Sequence, residues 1–433
     1  MSSVLGISLP GEWSSAPLKH VTTYLNRGSA PTYVDEGPVR AVSQAANQNA
    51  GLDWTRTRFH DFNGDPRKLK GFLRPDDVLI NSTGTGTLGR VGYFDQSPDG
   101  LPCMADSHVT VARSTRGKLD PRFMYYWLSS RPFQGFVHAA LVVGATNQIE
   151  LNRDRLGDAP VPLPEIEEQC RIAAFLDVET ARIDRLVILQ RSVLRKIDER
   201  EATQLDLEID ELVERHGAVP LRRFLLGVDQ GTSPQCDAVP AADDEWGVLK
   251  VSCLRPGNFV PAENKRLPEG TEPDSISEVR EGDLLIVRAN TPQLVGSTAV
   301  VPKVRRRLLL SDKIFRVRLD DRLSADFVAA IARGRRIRAL CSAGSNGASQ
   351  SMANIRFEEV KAWPMPAVGP GAQADFVAKV ANGRAVLDKL HPRIERQLAL
   401  FAERRQALIT AAVTGQFDVS TASGRNVTEG ITV

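Results

Sequence analysis

The chain lacks the features of an exported, membrane-spanning or metal-dependent protein. Its five cysteines are odd in number and form no C-x-x-C pair, which argues against a zinc site or a disulfide framework and favours a reducing compartment. The N-terminus has no basic stretch followed by an apolar run, and no apolar run reaches the ~18 residues that a membrane span needs. We therefore expect a cytoplasmic protein without a membrane partner.

Catalytic signatures are missing as well. The six histidines show no metal-ligand spacing, and the chain has neither a G-x-x-x-x-G-K-[ST] phosphate loop nor the Asn-Pro-Pro-aromatic or Asp-Pro-Pro-aromatic motif of amino-methyltransferases. Asp76 and Asp77 lack the Asp/Glu-x-Lys partner of a nuclease core. The sequence therefore predicts a chain that is not an enzyme, with no catalytic residue, no metal site and no bound cofactor.

What the chain does contain is an internal repeat with a period of about 204 residues, far longer than a solenoid unit. Segment 73–80 resembles 279–286, and segment 152–164 resembles 354–366. In each copy, short apolar runs alternate with Gly, Pro and Asn/Asp turns, as is typical of strands, while 121–128 and 325–332 have helical patterns. This predicts an α+β protein with two β-rich globular domains related by a pseudo-two-fold repeat.

A long amphipathic segment follows each globular copy. Apolar residues recur there at steps of 3, 4 or 7, as in the a/d seam of a coiled coil. The simplest way to cover both seams is to pack the two helices against each other, although an amphipathic helix packed on its own domain gives the same stripe. Pro392 predicts a kink or break in the second helix. The seam residues singled out are Ile172, Leu176, Ile183, Leu186, Ile197, Phe376, Leu387, Leu390, Phe401 and Leu408.

Two strings in these segments resemble a known family. PLPEIEEQ at 162–169, continued by ETARID at 179–184, is similar to the start of the central helix of type I restriction–modification specificity subunits. ERRQALITAAVTGQ at 403–416 is similar to the closing motif of that family. The second copy departs from the first string, since Pro364-Met365-Pro366 leads to Gln373 without a Glu-Gln pair.

The resemblance implies a non-catalytic subunit that binds a bipartite site in double-stranded DNA, with one target-recognition domain for each half-site. Two antiparallel coiled-coil helices would separate those domains. Two modification (methyltransferase) subunits would dock on the helices, and restriction (translocase/nuclease) subunits would join them. S-adenosylmethionine, ATP and Mg would then be bound by the partners. The domains expected are recognition domain 1 at 1–164, a spacer helix at 165–216, recognition domain 2 at 217–370, a second spacer helix at 371–418 and a tail at 419–433.

The first candidate DNA-binding residues lie in polar, glycine-containing loops. Segment 81–90 contains G-x-G-x-x-G, but a strand-like segment follows it, where a dinucleotide-binding loop requires a helix. A plain turn and a DNA-facing loop remain as the two interpretations, because Ser, Thr, Asn and Arg can bind phosphates and base edges. The equivalent stretch of the second copy is 288–293. A second pair of polar loops matches across the repeat, 146–148 with 349–351, and 344–347 lies just before the latter. The candidates are Ser82, Thr83, Thr85, Arg90, Asn147, Gln148, Arg288, Asn290, Gln293, Asn346 and Gln350.

A basic stretch supplies the other candidates. Residues 301–340 hold 12 Lys/Arg against four Asp in a chain whose net charge is only +2, and they include Arg305, Arg306 and Arg307. Such a run is either a solvated face or a surface that binds phosphates. The alternative for the whole protein is a coiled-coil interaction scaffold that binds no DNA.

Overall fold

The computed structural model describes residues 3–49, 51–84, 86–143, 149–344 and 353–419. The chain divides into two compact units, of which unit 1 comprises Met1–Arg191 with Glu395–Val433 and unit 2 comprises Ser192–Ile394. Each unit combines an α+β part with one end of each of two long helices, Ile166–His216 and Pro370–Val413. Within the described ranges, no helix is both long and apolar enough to cross a membrane.

Unit 1 is built on a central antiparallel sheet of four strands, in the order Val91–Phe94, Asp77–Asn81, Val109–Ser114 and Thr22–Arg27. The strand Asp77–Asn81 is buried along its whole length, which explains its unbroken apolar run. A second four-stranded sheet has the order Cys103–Ala105, Val39–Val42, Arg58–His60 and Tyr33–Val34. Shorter strand pairs are Ser3–Val4 with Ile7–Ser8, Ser14–Pro17 with Pro160–Leu163, Asn47–Gln48 with Gly51–Leu52, and Val142–Val143 with Glu150–Leu151. Its short α-helices are Pro121–Ser129, Arg131–Phe136 and Arg153–Asp158.

Unit 2 repeats this plan. Its central antiparallel sheet has the order Leu225–Gln230, Ile314–Leu319, Leu284–Val287 and Thr298–Val300. A three-stranded sheet has the order Asn264–Arg266, Gly247–Leu249 and Leu308–Leu309. Shorter strand pairs are Ala218–Pro220 with Pro364–Pro366, Leu254–Arg255 with Asn258–Phe259, and Ala289–Asn290 with Ala353–Asn354. Its short α-helices are Ala325–Ile331, Arg335–Gly344 and Phe357–Lys361.

The helices predicted at 121–128 and 325–332 are confirmed and begin in the same way. Asp120 caps the first by accepting a bond from the backbone N–H of Phe123 (2.9 Å), and Ser324 caps the second by accepting one from Phe327 (3.4 Å). A side-chain oxygen at this position satisfies an N–H that has no partner inside the helix. Both phenylalanines are fully buried, so each helix is fixed on the central sheet of its own unit.

A buried glutamine joins the first long helix to the α+β part of unit 1. The side chain of Gln169 is 1% exposed, and its Oε1 accepts a bond from the N–H of Asp120 (2.8 Å). Its Nε2 donates to the carbonyls of Lys118 (3.1 Å) and Pro164 (2.8 Å). A buried side-chain amide destabilises the fold if its N–H groups or its oxygen lack partners. The three bonds of Gln169 avoid this cost. We call this arrangement the glutamine clamp.

The same clamp occurs in unit 2 at the glutamine of the degenerate second string. Gln373 is 1% exposed and accepts a bond from the N–H of Ser324 (2.9 Å). It donates to the carbonyls of Arg322 (2.8 Å) and Val368 (2.9 Å). Each of these partners lies at the spacing of the repeat from its counterpart in unit 1. The missing Glu-Gln pair therefore does not alter the start of the second long helix, which begins at Pro370.

Within each unit the two long helices run antiparallel. In unit 1, Asp184 Oδ1 lies 3.3 Å from Arg405 Nε, and the ring of Phe175 lies 5.6 Å from that of Phe417, four residues beyond the end of the second helix. Residue numbers thus rise along one helix while they fall along the other. Unit 2 shows the same order in the ion pair of Glu208 with Lys379 (3.1 Å) and in the contact of Asp198 Oδ1 with His391 Nε2 (2.9 Å). The predicted antiparallel pairing is confirmed in both units.

Burial along the predicted seam is uneven. Leu186 is 39% exposed, so its expected place in a closed seam is wrong. A pair of helices without a third layer leaves part of its apolar stripe in contact with solvent, and full burial occurs where a helix also meets the α+β part of its unit. The buried seam residues are Ile172, Leu176, Ile183, Phe376 and Leu408, and the half-buried ones are Ile197, Leu387, Leu390 and Phe401.

The second long helix continues through Pro392, so a break at this residue does not occur. Proline lacks the N–H that would bond to the carbonyl of Asp388, one turn earlier. Both residues are exposed, and water can satisfy the carbonyl that is left free.

Candidate nucleic-acid interface

The polar loops of unit 1 meet at one end of its central sheet. Asn81 pairs with Val109, Ile80 pairs with Val91, and Thr110 pairs with Arg27. Because neighbouring strands run antiparallel, the segment after Arg27, the loop between Asn81 and Val91, and the segment before Val109 all lie at the same end. We call this the loop end of unit 1.

Unit 2 has a loop end of the same construction. Val287 pairs with Ile314, Ile286 pairs with Thr298, and Gln230 pairs with Phe315. The segment after Gln230, the loop at 288–297 and the segment before Ile314 therefore lie together. The predicted correspondence between the loops at 81–90 and 288–293 is confirmed by this register.

A glycine fixes the chain at each loop end. A Cβ on Gly28 would lie 1.9 Å from the carbonyl oxygen of Ala105, and one on Gly231 would lie 1.9 Å from the carbonyl oxygen of Leu310. Only glycine permits this approach of two backbone segments. The two positions are equivalent in the repeat, so the close approach is a feature of the fold and not of one copy.

Thr83 is the centre of a polar cluster at the loop end of unit 1. Its Oγ1 lies 2.8 Å from Nδ1 of His108 and donates to Oε1 of Gln44 (3.1 Å). His108 is exposed, while Thr83 and Gln44 are half-buried. Hydroxyl, amide and imidazole groups can all bind base edges or phosphates, so the cluster has the chemistry of a DNA-contacting surface.

The segment that carries His108 is supported by a buried carboxyl. Asp106 is 2% exposed and accepts bonds from the N–H of His108 (2.8 Å) and the hydroxyl of Tyr33 (3.4 Å). Burial raises the pKa of Asp106, and burial together with the nearby carboxyl raises the pKa of Tyr33. These groups hold the loop in place beneath the surface.

Arg90 lies at the other end of the same loop. Its Nη1 donates to the carbonyl of Asn47 (3.1 Å) and to Oε1 of Gln48 (3.0 Å), which holds the half-buried side chain against a hairpin. Both acceptors are neutral, so the positive charge of Arg90 is not compensated by them. The strand Val91–Phe94 follows directly and pairs antiparallel with Asp77–Asn81, which excludes a dinucleotide-binding βαβ unit here.

Ser82 is a correction to the predicted set. It is 0% exposed, and its hydroxyl lies 2.6 Å from Oγ1 of Thr110 and 3.3 Å from the carbonyl of Ile80. A hydroxyl bonded in this way inside the sheet is not available to DNA. Thr85, Asn147, Gln148, Asn346 and Gln350 lie outside the described residues.

The first candidate loop of each unit pairs with a later segment of the same unit. In unit 1, Thr83 forms an isolated bridge with Glu150, next to the segment after 148. In unit 2, Ala289 pairs with Asn354 and Asn290 with Ala353, next to the segment before 353. Glu150 and the strand Ala353–Asn354 thus lie beside the first loop of their own unit, whereas 146–148 and 345–351 lie outside the described residues.

The candidates in the loop of unit 2 differ in exposure. Arg288 is half-buried, and its Nη1 lies 3.4 Å from the carbonyl of Asp312. Asn290 is half-buried and accepts a bond from the N–H of Thr291 (2.8 Å). Gln293 is exposed, and only its carbonyl is engaged, by Arg338 (2.6 Å). Gln293 is thus the candidate in this loop whose side chain is most accessible.

Most of the basic stretch at 301–340 binds the chain's own groups. Arg305 donates to the carbonyl of Glu245 (2.9 Å), and Arg307 donates to the carbonyl of Asp244. Ion pairs with this chain's carboxylates engage Arg316, Arg318, Arg322, Arg333 and Arg335. Among the described residues, the exposed side chains of this stretch without an ion pair or hydrogen bond of their own are Lys303, Arg306, Lys313 and Arg336. The predicted phosphate-binding surface is therefore reduced to a few dispersed charges.

Sequence reasoning missed Gln44 and His108, and it did not single out Lys313 within the basic stretch. Gln44 and His108 join the cluster around Thr83 only because the sheet register brings three distant segments together. Lys313 is exposed and precedes the strand Ile314–Leu319, at the position that His108 occupies in unit 1. The carbonyl of Lys313 accepts a bond from the N–H of Arg288 (2.8 Å), as that of His108 does from Ser82 (2.8 Å). The segment duplication was the only signal that could have indicated them.

In the part of the chain that the structure describes, no group of three or more His, Cys, Asp or Glu side chains could hold a metal ion. The fold and the two loop ends thus define an internally duplicated protein with two equivalent polar surfaces and paired antiparallel helices.

Comparison with known proteins finds relatives of one kind. Residues 57–186 match the model of the type I restriction modification DNA specificity domain. The specificity subunit of the type I restriction enzyme EcoEI from Escherichia coli is 29% identical over 192 residues, which are 44% of this chain and 32% of that protein. The match thus spans about a third of the length of this relative.

Two solved structures are similar over most of the chain. One comes from work on complex assembly and conformational transition of the type I R-M system, with a TM-score of 0.67 and 17% identity over 95% of this chain and 100% of that chain. The HsdS subunit of Thermoanaerobacter tengcongensis has a TM-score of 0.46 and 17% identity over 95% of this chain and 98% of that chain. The first likeness confirms the fold class.

Proposed function

We propose that this chain is a DNA-specificity subunit that recognises a bipartite site, with the loop end of each unit contacting one half-site. The observation that carries the proposal is the equivalence of the two loop ends, which share a sheet register but present different side chains. Thr83 and His108 stand in unit 1 where Ala289 and Lys313 stand in unit 2, so the two half-sites differ in sequence. A duplicated protein of this kind suits two half-sites separated by about one helical turn of DNA, ~34–36 Å, or a multiple of it.

The chain itself carries out no chemistry in this proposal. Two modification subunits bind S-adenosylmethionine and methylate adenine, and restriction subunits use ATP and Mg. The long helices are the docking surface for the modification subunits. Exposed apolar side chains on the first helix support this role, since Val178 is 67% and Leu189 is 53% exposed. Apolar side chains exposed together on one helix are typical of an interface.

The test is methylome sequencing in a host that lacks its own type I system and expresses this chain with its modification subunit. The native chain is expected to produce a split methyl-adenine motif. The double variant Thr83→Ala, His108→Ala is expected to relax only one half of the motif, and Gln293→Ala only the other half. Loss of a bidentate base contact costs about 1–3 kcal/mol at one position, which relaxes the base preference roughly tenfold or more.

Two outcomes contradict the proposal. A stable complex with the modification subunit that produces no motif would favour the coiled-coil scaffold without DNA binding. A motif that both sets of variants change in the same half would contradict the assignment of one unit to one half-site.

A further inference from the structure

A groove in unit 1 lies between the loop carrying Arg90 and the paired helices. Its volume is about 460 Å³. Three arginines, Arg90, Arg191 and Arg405, and one carboxylate, Asp184, are the charged residues that line it. The lining therefore has an excess of positive charge, in a chain whose overall charge is nearly balanced.

The three arginines are held to different degrees. Arg90 is fixed by neutral acceptors only, as described above. Arg405 lies 3.3 Å from Asp184 and its side chain is 23% exposed, whereas that of Asp184 is 51% exposed. Arg191 is exposed and has no ion pair or hydrogen bond of its own to a described residue. Two of the three guanidinium groups are thus available to an anion without breaking an ion pair.

Unit 2 does not repeat this charge pattern. Ser297 occupies the position of Arg90, since each donates its N–H to the carbonyl three residues earlier at the end of the loop. Glu201 occupies the position of Arg405 at the spacing of the repeat. Glu201 forms an ion pair with Arg333, in which the side chains are 24% and 11% exposed. At these two positions, unit 2 therefore has an uncharged residue and a carboxylate that is already paired, in place of two arginines.

We propose that the groove of unit 1 binds the phosphodiester backbone of duplex DNA beside the half-site that the loop end contacts, and that unit 2 lacks this contact. The inference rests on the proposed function. Arg90 belongs to the same loop as Thr83, so a DNA strand bound at the loop end would continue towards the groove. Guanidinium groups bind phosphate oxygens with two donors, which makes arginine the preferred residue for such a site.

The test measures the salt dependence of duplex binding by the full chain assembled with its modification subunits. Arg191→Gln removes one phosphate contact, so the log–log slope of affinity against salt becomes shallower by about 0.9. Between 50 and 200 mM salt, the affinity of the variant divided by that of the native complex therefore changes roughly threefold. The matched control is Arg185→Gln, an exposed arginine on the same helix that does not line the groove, and it is expected to leave the slope unchanged.

Asp184→Asn gives a prediction of opposite sign. It removes the carboxylate from the groove and frees Arg405, so DNA binding is expected to tighten severalfold and the slope to steepen. A merely structural ion pair would instead weaken binding when broken. Rescue of Arg191→Gln by Asp184→Asn would support the phosphate site further.

Three outcomes overturn the inference. One is an unchanged slope in both Arg191→Gln and Asp184→Asn. Another is a weaker complex with the modification subunit at an unchanged slope, which would assign the groove to an acidic segment of that partner. The third is an equal loss of slope in the Arg185→Gln control. A split methylation motif in the same samples shows that the proposed function stands even if the groove fails, whereas its absence from the native complex refutes the function itself.

Discussion

The glutamine clamp yields a prediction that the repeat allows to be tested twice in one molecule. Gln169→Leu keeps the size and shape of the side chain but removes three hydrogen bonds, to Asp120, Lys118 and Pro164. An unsatisfied buried polar group costs about 1–3 kcal/mol. Only the bond to Pro164 is fully buried, so water can reach the backbone groups of Asp120 and Lys118 that lose their partner. We therefore take the lower end of this range, about 1 kcal/mol, for each of the three bonds. The expected loss is about 3 kcal/mol of the free energy of unfolding of unit 1.

The assay is native-state hydrogen exchange, because a chain with two compact units has no single unfolding free energy. Amide protection in the strand Val109–Ser114 is expected to fall roughly a hundredfold in Gln169→Leu, since 1.4 kcal/mol corresponds to a factor of ten. Protection in the strand Ile314–Leu319 of unit 2 is expected to be unchanged. Gln373→Leu should give the reverse pattern, and each variant is the control for the other.

The reasoning is refuted if Gln169→Leu leaves the protection of Val109–Ser114 within about threefold of the native value, since that corresponds to well under 1 kcal/mol. It is also refuted if each variant lowers the protection of both strands equally. In that case the clamp would act on the whole chain and not on the joint between one long helix and its own unit.

Two further predictions concern unit 1. Gly28→Ala would place a Cβ 1.9 Å from a carbonyl oxygen and is expected to destabilise unit 1 by about 3 kcal/mol, measured by native-state hydrogen exchange in the strand Thr22–Arg27. The control Gly11→Ala, with no atom within 4 Å of its Cβ, should change stability little. The hydrogen bond from Arg40 lowers the pKa of Asp99 to about 2, so its stabilising effect is present above the ordinary carboxyl pKa and is lost as the pH falls towards 2. Arg40→Gln should return the pKa towards its ordinary value in an NMR titration, and a pKa that stays near 2 would show that another group lowers it.

The sequence correctly predicts the features that depend on the periodic spacing of apolar residues. The apolar steps of 3 and 4 predict both long helices because the α-helix turns every 3.6 residues, and the duplicated strings predict two equivalent units. The pairing of the helices follows because two apolar stripes need cover, whereas their antiparallel direction was implied only by the family resemblance. Leu186 differs from expectation because a pair of helices leaves part of its apolar stripe exposed. The second helix is not broken at Pro392 because water can satisfy the carbonyl that proline leaves free.

The candidate site depended on contacts that no local pattern encodes. Ser82 and Thr83 are adjacent and chemically alike, yet the pleat of the sheet buries one hydroxyl and leaves the other at the loop end. The basic stretch was conspicuous in sequence, but carboxylates distant along the chain neutralise much of it, as Glu201 does for Arg333. The sequence alone thus determined the helices, the duplication and the family resemblance, which depend on short-range periodicity and on matching strings. The tertiary structure decided which polar groups remain free, because hydrogen bonds and ion pairs form between segments that only the sheet register brings together.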